Sequence, residues 1–163
     1  MYHVSFLAGF LAISAASAFQ PMPSSVAKAD REFCVKATEG GLATIDLSQQ
    51  AVEKASKPDV KQFAQQVLDS QTKTDTELKD LTIKKGVTLD QATLDAKTMK
   101  ETGDQFDRAY LKRMVAAQEK DVAAFEKASK TVSDPEIRAF AEKRLPQLRD
   151  QLQLARALSG QTK

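Results

Sequence analysis

Apolar residues recur along this chain at steps of three and four, in four runs punctuated by proline and glycine. That spacing turns one face of a helix toward a core. The first run starts near positions 27–30 and reaches Ser56, with the stripe Cys34, Thr38, Leu42, Ile45, Gln49 and Val52. Gly40-Gly41 interrupts it and marks a kink or a close helix–helix approach, since each glycine costs about 1 kcal/mol against alanine. The second run opens at Pro58 and closes at Gly86, a natural residue just past a helix end. Its face is Val60, Phe63, Ala64, Val67, Gln71, Thr74, Leu78 and Leu81. The third is predicted to start at Asp104 as N-cap and to end near Thr131. Phe106, Tyr110, Leu111, Met114, Val115, Gln118, Val122 and Phe125 form its face. The fourth opens at Ser133-Asp134-Pro135, a cap followed by a first-turn proline. It runs to about Leu158 on Ile137, Ala141, Leu145, Leu148, Leu152 and Ala155, with Pro146 inside it and Gly160 as its stop.

One turn is written twice. Glu53-Lys54-Ala55-Ser56-Lys57 precedes Pro58, and Glu126-Lys127-Ala128-Ser129-Lys130 precedes Pro135, four residues later than in the first copy. Each proline is followed by an acid, an aliphatic residue, a base and then Phe-Ala. The echo predicts two helical hairpins. The stretch from Val87 to Gly103 exceeds an ordinary helix–helix turn. It suits a long crossover with a short helix over Asp90–Lys100, as in ferritin-like bundles. No alternating β-branched run competes with this reading, so the fold class is all-α, a four-helix bundle of two hairpins.

Composition narrows the chemistry more than it widens it. Of 163 residues, 24 are basic and 22 acidic, all beyond position 27 and interspersed. A chain that tracks phosphates carries a net basic face, so nucleic acid is not an expected partner. Met1–Ala18 has an apolar core at Phe6–Ile13 and Ala16-Ser17-Ala18 before Phe19. It reads as a signal peptide, although its start lacks Lys or Arg, which keeps an uncleaved membrane anchor open. The expected organisation is therefore a leader over 1–18, a Pro/Ser-rich tether over 19–29, the bundle over 30–159 and a tail over 160–163. The expected location is periplasmic or secreted. The single histidine, His3, falls in the leader, so the exported chain would carry no imidazole for catalysis or metal binding. Cys34, the sole cysteine, reads as a buried thiol, with a reactive or intermolecular one as the other possibility.

Three glutamines fall on or beside apolar stripes: Gln71, Gln118 and Gln151. A buried carboxamide costs about 1–3 kcal/mol unless it is bonded. They either share a hydrogen-bond cluster or turn aside to water, and periodicity leaves both open. Asp107 and Tyr110 lie near the seam, Asp107 as an expected cap of the third helix and Tyr110 with its hydroxyl on a buried partner. Asp46, Asp69, Glu119 and Asp150 flank the stripes, where carboxylates are usually solvated.

Phe63-Ala64, Phe106-Asp107-Arg108-Ala109-Tyr110, Met114-Val115, Asp134-Pro135 through Phe140-Ala141, and Leu145-Pro146-Gln147-Leu148 together resemble the bacterial exported family called domain of unknown function 4142. The resemblance covers roughly positions 30–158 and implies a ferritin-like fold and an envelope location. It also implies a histidine where this chain has Gln71, Gln118 and Gln151, and an acid at or near Thr44. This sequence departs at all four. Glutamine is a poor divalent-metal ligand beside imidazole or carboxylate. The expectation is thus a non-catalytic envelope protein with no cofactor, keeping the bundle and a vestigial site, and acting on an unidentified protein or envelope partner. The alternative is a ferritin-like metal or oxidoreductase protein that uses carboxylates alone.

Overall fold

The computed structural model describes residues 26–89 and 98–162. The leader, most of the tether and the centre of the crossover, including Asp90–Lys97 of the expected short helix, lie outside the described residues. Thr98, Met99 and Lys100 are not helical. Four helices follow one another: α1 (Lys28–Lys54), α2 (Pro58–Lys84), α3 (Gly103–Thr131) and α4 (Pro135–Gln161). Among the described residues there is no strand, and no helix is long and apolar enough to cross a membrane. The hairpins are α1–α2 and α3–α4. The ends of the helices fix the arrangement: α2 runs parallel to α3 and antiparallel to α1 and α4. This is the ferritin-like four-helix bundle.

Local chemistry ends the helices where the sequence says. Past α2, Gly86 takes φ 63°. Its N–H reaches Ile83 O at 3.1 Å while the N–H of Val87 reaches Thr82 O at 2.9 Å, the paired bonds of a Schellman cap. At the start of α4 the Asp134 carboxylate accepts from the N–H groups of Glu136 and Ile137, with Pro135 first in the helix. Two expectations fail at helix ends. Thr102, not Asp104, holds the N-cap position of α3, and α4 continues through Gly160 to Gln161, so the tail is partly its last turn.

The expected face of α1 is rotated. Its buried residues are Asp30, Cys34, Thr38, Gly41, Thr44, Ser48 and Ala51, whereas Leu42, Ile45 and Val52 are half-buried and Gln49 is exposed. Small residues face the core because the neighbouring helices come close. A Cβ on Gly41 would stand 2.7 Å from Gln71 Nε2, and one on Gly40 would stand 3.1 Å from Asp121 Oδ1.

Two buried carboxylates tie each hairpin to the turn of the other. Asp107, on α3, accepts from Ser56 N at 3.0 Å, Ser56 Oγ at 2.6 Å and Lys57 N at 2.9 Å. Asp30, on α1, accepts from Ser133 N at 3.1 Å and Asp134 N at 2.8 Å. A shift of 77 residues takes Asp30 to Asp107, Ser56 to Ser133 and Pro58 to Pro135. The repeated turn is therefore half of a repeated clasp. The expectation that Asp107 caps its own helix fails: its carboxylate closes the α1–α2 turn instead.

Apolar packing divides at mid-height. One cluster gathers Cys34, Leu78, Phe125, Ile137, Phe140, Ala141 and Leu148 at the Asp30 end. The other gathers Ala51, Val60, Phe63, Val67, Phe106, Tyr110, Met114 and Ala155 at the Asp107 end. Between them every helix presents polar or small side chains. Replacing Asp107 by alanine strips three donors of a buried acceptor, and should cost about 2–4 kcal/mol. Urea unfolding should show a lower midpoint with an unchanged slope, whereas Glu32→Ala on the surface should move it by less than about 0.5 kcal/mol.

A polar waist as the candidate site

Each helix sends side chains into the gap between the two apolar clusters. From α1 comes Thr44, beside the bare backbone of Gly41, from α2 Ser70, Gln71 and Thr74, from α3 Gln118, and from α4 Arg144 and Gln151. The glutamines are joined through two residues that the periodicity reading left out, Ser70 and Arg144. Gln118 Nε2 donates to Gln151 Oε1 at 3.3 Å, and Gln151 Nε2 donates to Ser70 Oγ at 3.1 Å. Arg144 donates through Nη1 to Ser70 Oγ at 3.0 Å and through Nη2 to Gln71 Oε1 at 2.8 Å. Gln147 closes the set, bonded to both Arg144 and Ser70. Gln118 is fully buried and Gln71 nearly so, while Gln151 is half-buried.

Thr44 lies at the same height on the α1–α3 side, where it lines a groove with Ala116, Ala117 and Asp121. It is buried, and its Oγ1 has no partner; neither has Oε1 of Gln118. Asp107 and Tyr110 do not join the waist. Asp107 serves the clasp, and Tyr110 packs between Phe63 and Phe106 with its hydroxyl 3.5 Å from Ser48 Oγ. Burial pushes the Tyr110 phenol well above its usual range, the Ser48 contact opposing.

The charges of the waist answer to burial. Desolvation lowers Arg144 to about 10, with Asp121 and Glu77 opposing. Desolvation raises Asp121 to about 6, held back by Arg144 and Lys120. Burial also raises Asp75, against Lys79. Asp75, Asp121, Arg144 and Gln71 border an enclosed space of about 10 Å³ beside Gly41, room for about one water. Cys34 is buried and driven to about 12 by desolvation first and by Asp30 and Asp134 next. It is an inert core thiol.

A carboxylate-only metal site would draw on Asp46, Asp69, Glu119 and Asp150. Asp69, Glu119 and Asp150 are exposed and Asp46 half-buried. Gln50 binds Asp46, Gln65 binds Asp69, and Arg156 binds Glu119. Among the described residues no three His, Cys, Asp or Glu stand close enough together to hold an ion. What its centre can do is hydrogen-bond: the polar groups there are carboxamides, hydroxyls and one guanidinium, with the carboxylates of Asp75 and Asp121 at its edge.

Arg144 was legible. Ile137, Ala141, Arg144 and Leu148 step by four, three and four, the spacing of a buried stripe. Leu145 is buried as expected, and Arg144 beside it is buried too, although charged residues seldom are. Asp30 likewise sits one step before Cys34 and Thr38 on the α1 stripe.

The profile of a family described as "Domain of unknown function (DUF4142)" matches residues 15–158. No curated protein matches the chain. Among solved structures, a DUF305 fragment from Deinococcus radiodurans superposes with TM-score 0.69 at 14% identity, over 83% of this chain and 98% of that one. A structure described as "CopM in the Cu(II)-bound form" superposes with TM-score 0.68 at 17% identity, over 82% of this chain and 97% of that one. At such identity these likenesses establish the fold.

Asp121 makes stability depend on pH. Its folded value, about 6, lies above the ordinary 3.8, so the native state holds its proton longer than the unfolded state. Its burden is absent below about pH 4 and complete above about pH 6, reaching roughly 2–3 kcal/mol at pH 7. Asp121→Asn should therefore be more stable than the parent at pH 7 and equal to it near pH 4. Urea unfolding at both pH values checks this.

Proposed function

The chain belongs to the family described as a domain of unknown function, DUF4142, and on that premise we propose that it is a non-catalytic helical bundle of the cell envelope. Its waist serves as a structural lock, and its biological work is stoichiometric: holding a partner or supporting the envelope. One observation carries this reading. The three glutamines that stand where the resemblance implies histidines are spent on one another, on Ser70 and on Arg144. A carboxamide neither ionises nor shuttles a proton near neutral pH. The Arg144 cation in the same layer repels a divalent ion. The envelope location rests on the apolar leader with its small-residue cleavage pattern.

The structural neighbour CopM is described with Cu(II), which belongs to that protein. Copper therefore joins iron, manganese and zinc in the direct test. Protein purified from its native compartment should contain far less than one equivalent of each by mass spectrometry of the metals. A tightly bound stoichiometric metal would overturn the reading. N-terminal sequencing of the exported form should begin at Phe19.

Restoring imidazoles tests the vestigial character of the waist. The variant carrying Gln71→His, Gln118→His and Gln151→His should bind zinc or copper at least about tenfold more tightly than the parent in a calorimetric titration. Equal affinity would mean that these three positions do not frame a metal site.

A further inference from the structure

On the α2–α4 face a buried cation stands with no carboxylate against it. Arg144 is only 4% exposed. Its partners among the described residues are the Ser70 hydroxyl and the carboxamide oxygens of Gln71 and Gln147. Asp121 and Glu77 act on it from beyond ion-pair contact. Buried charges are ordinarily answered by a counter-charge, because leaving water is costly. Here no carboxylate is in contact: Asp75 and Asp121 stand across the water-sized space that Arg144 borders on its other side.

The hydrogen bonds around Arg144 leave some of its donors unused. Arg144 Nη1, Gln147 Nε2 and Gln151 Nε2 all donate to the one hydroxyl oxygen of Ser70. A hydroxyl offers two lone pairs and one O–H, so Arg144 and Gln147 fill its acceptor capacity, and the Gln151 carboxamide meets it with either end. Arg144 has five N–H donors by its chemistry, and the bonds to Ser70, Gln147 and Gln71 do not exhaust them.

This donor-rich spot borders a pocket of about 140 Å³ between α2 and α4, lined by Ser70, Lys73, Thr74, Lys143, Arg144 and Gln147. Phe140 supplies an apolar wall, and the only acid on the lining, Glu77, is already bound by Lys143 at 3.0 Å. Lys73 is exposed at the rim. We propose that this pocket binds a small oxyanion: phosphate, sulfate or a carboxylate. The planar guanidinium matches such oxygens in a fork. The carboxamide N–H of Gln147 turns from the Ser70 hydroxyl to the anion, and Lys73 adds charge at the entrance. The anion supplies a counter-charge in direct contact and acceptor oxygens for the unused guanidinium N–H groups. The site lies on the α2–α4 side, away from the α1–α3 groove at Thr44.

Calorimetric titration of the purified chain with inorganic phosphate, sulfate and acetate in turn, at constant ionic strength, tests the proposal and separates the three sources. At least one anion should bind saturably at a single site. Lys73→Glu, an exposed change that leaves the core intact, should weaken that binding about tenfold, the effect of a reversed charge at the mouth of the site. Arg144→Gln, checked for native helicity by circular dichroism, should abolish it. Lys127→Glu, an exposed change on α3, should leave it unchanged. Failure of all three anions to saturate overturns the site, as does binding that survives Lys73→Glu undiminished.

Discussion

The structure depends on two carboxylates that reach across the bundle. Asp30 and Asp107 are 1% and 0% exposed, and each holds the backbone of the turn belonging to the other hairpin. A turn that ends one helix and begins another leaves N–H groups without intrahelical partners. Here those donors converge on a buried anion, so the desolvation of the carboxylate is offset by charge-assisted bonds. The clasp does something that helix packing alone does not. It fixes how far each hairpin slides along the other, because a shift by one residue would leave the carboxylate and the turn amides unpaired together. The ion pairs of Lys85 with Asp134 and Glu136 reinforce one end from the surface.

With the ends fixed, the middle can be polar. The waist interrupts the apolar core at the height where Gly41 lets Gln71 approach, and its carboxamides, hydroxyl and guanidinium bond mainly to one another. In a low-dielectric interior such a network is strong when complete and costly when not. It is nearly complete: Thr44 Oγ1 and Gln118 Oε1 are the buried waist atoms without partners. The centre of the waist is held by hydrogen bonds, its titrating carboxylate Asp121 stands at the edge, and Arg144 faces a pocket on the α2–α4 face.

Much of this was legible. Proline, glycine and the three-and-four step located all four helices and the hairpin pairing, and the repeated Pro-acid-aliphatic-base-Phe-Ala segment announced the internal symmetry. The rotation of α1 was not legible, because hydropathy favours Leu42, Ile45 and Val52 over Gly41, Thr44 and Ser48. Only the proximity of α2 and α3 makes small residues the better core. The role of Asp107 was misread because a carboxylate near a helix start ordinarily caps its own helix, and its true partners lie fifty residues away in sequence. Gln71, Gln118 and Gln151 were found by their stripes, but Ser70 and Arg144, which connect them, were passed over as polar residues beside an apolar face.

Hydrogen exchange at the two turns measures the central constraint most directly. The amides of Ser56, Lys57, Ser133 and Asp134 belong to short turns, where amides ordinarily exchange within seconds to minutes unless held. If Asp107 and Asp30 clasp them, all four should exchange only through opening of the bundle, with protection approaching that of the α3 core around Met114. Exchange at the rate of an open turn would contradict the account, because the hairpins would then be held together without the carboxylates.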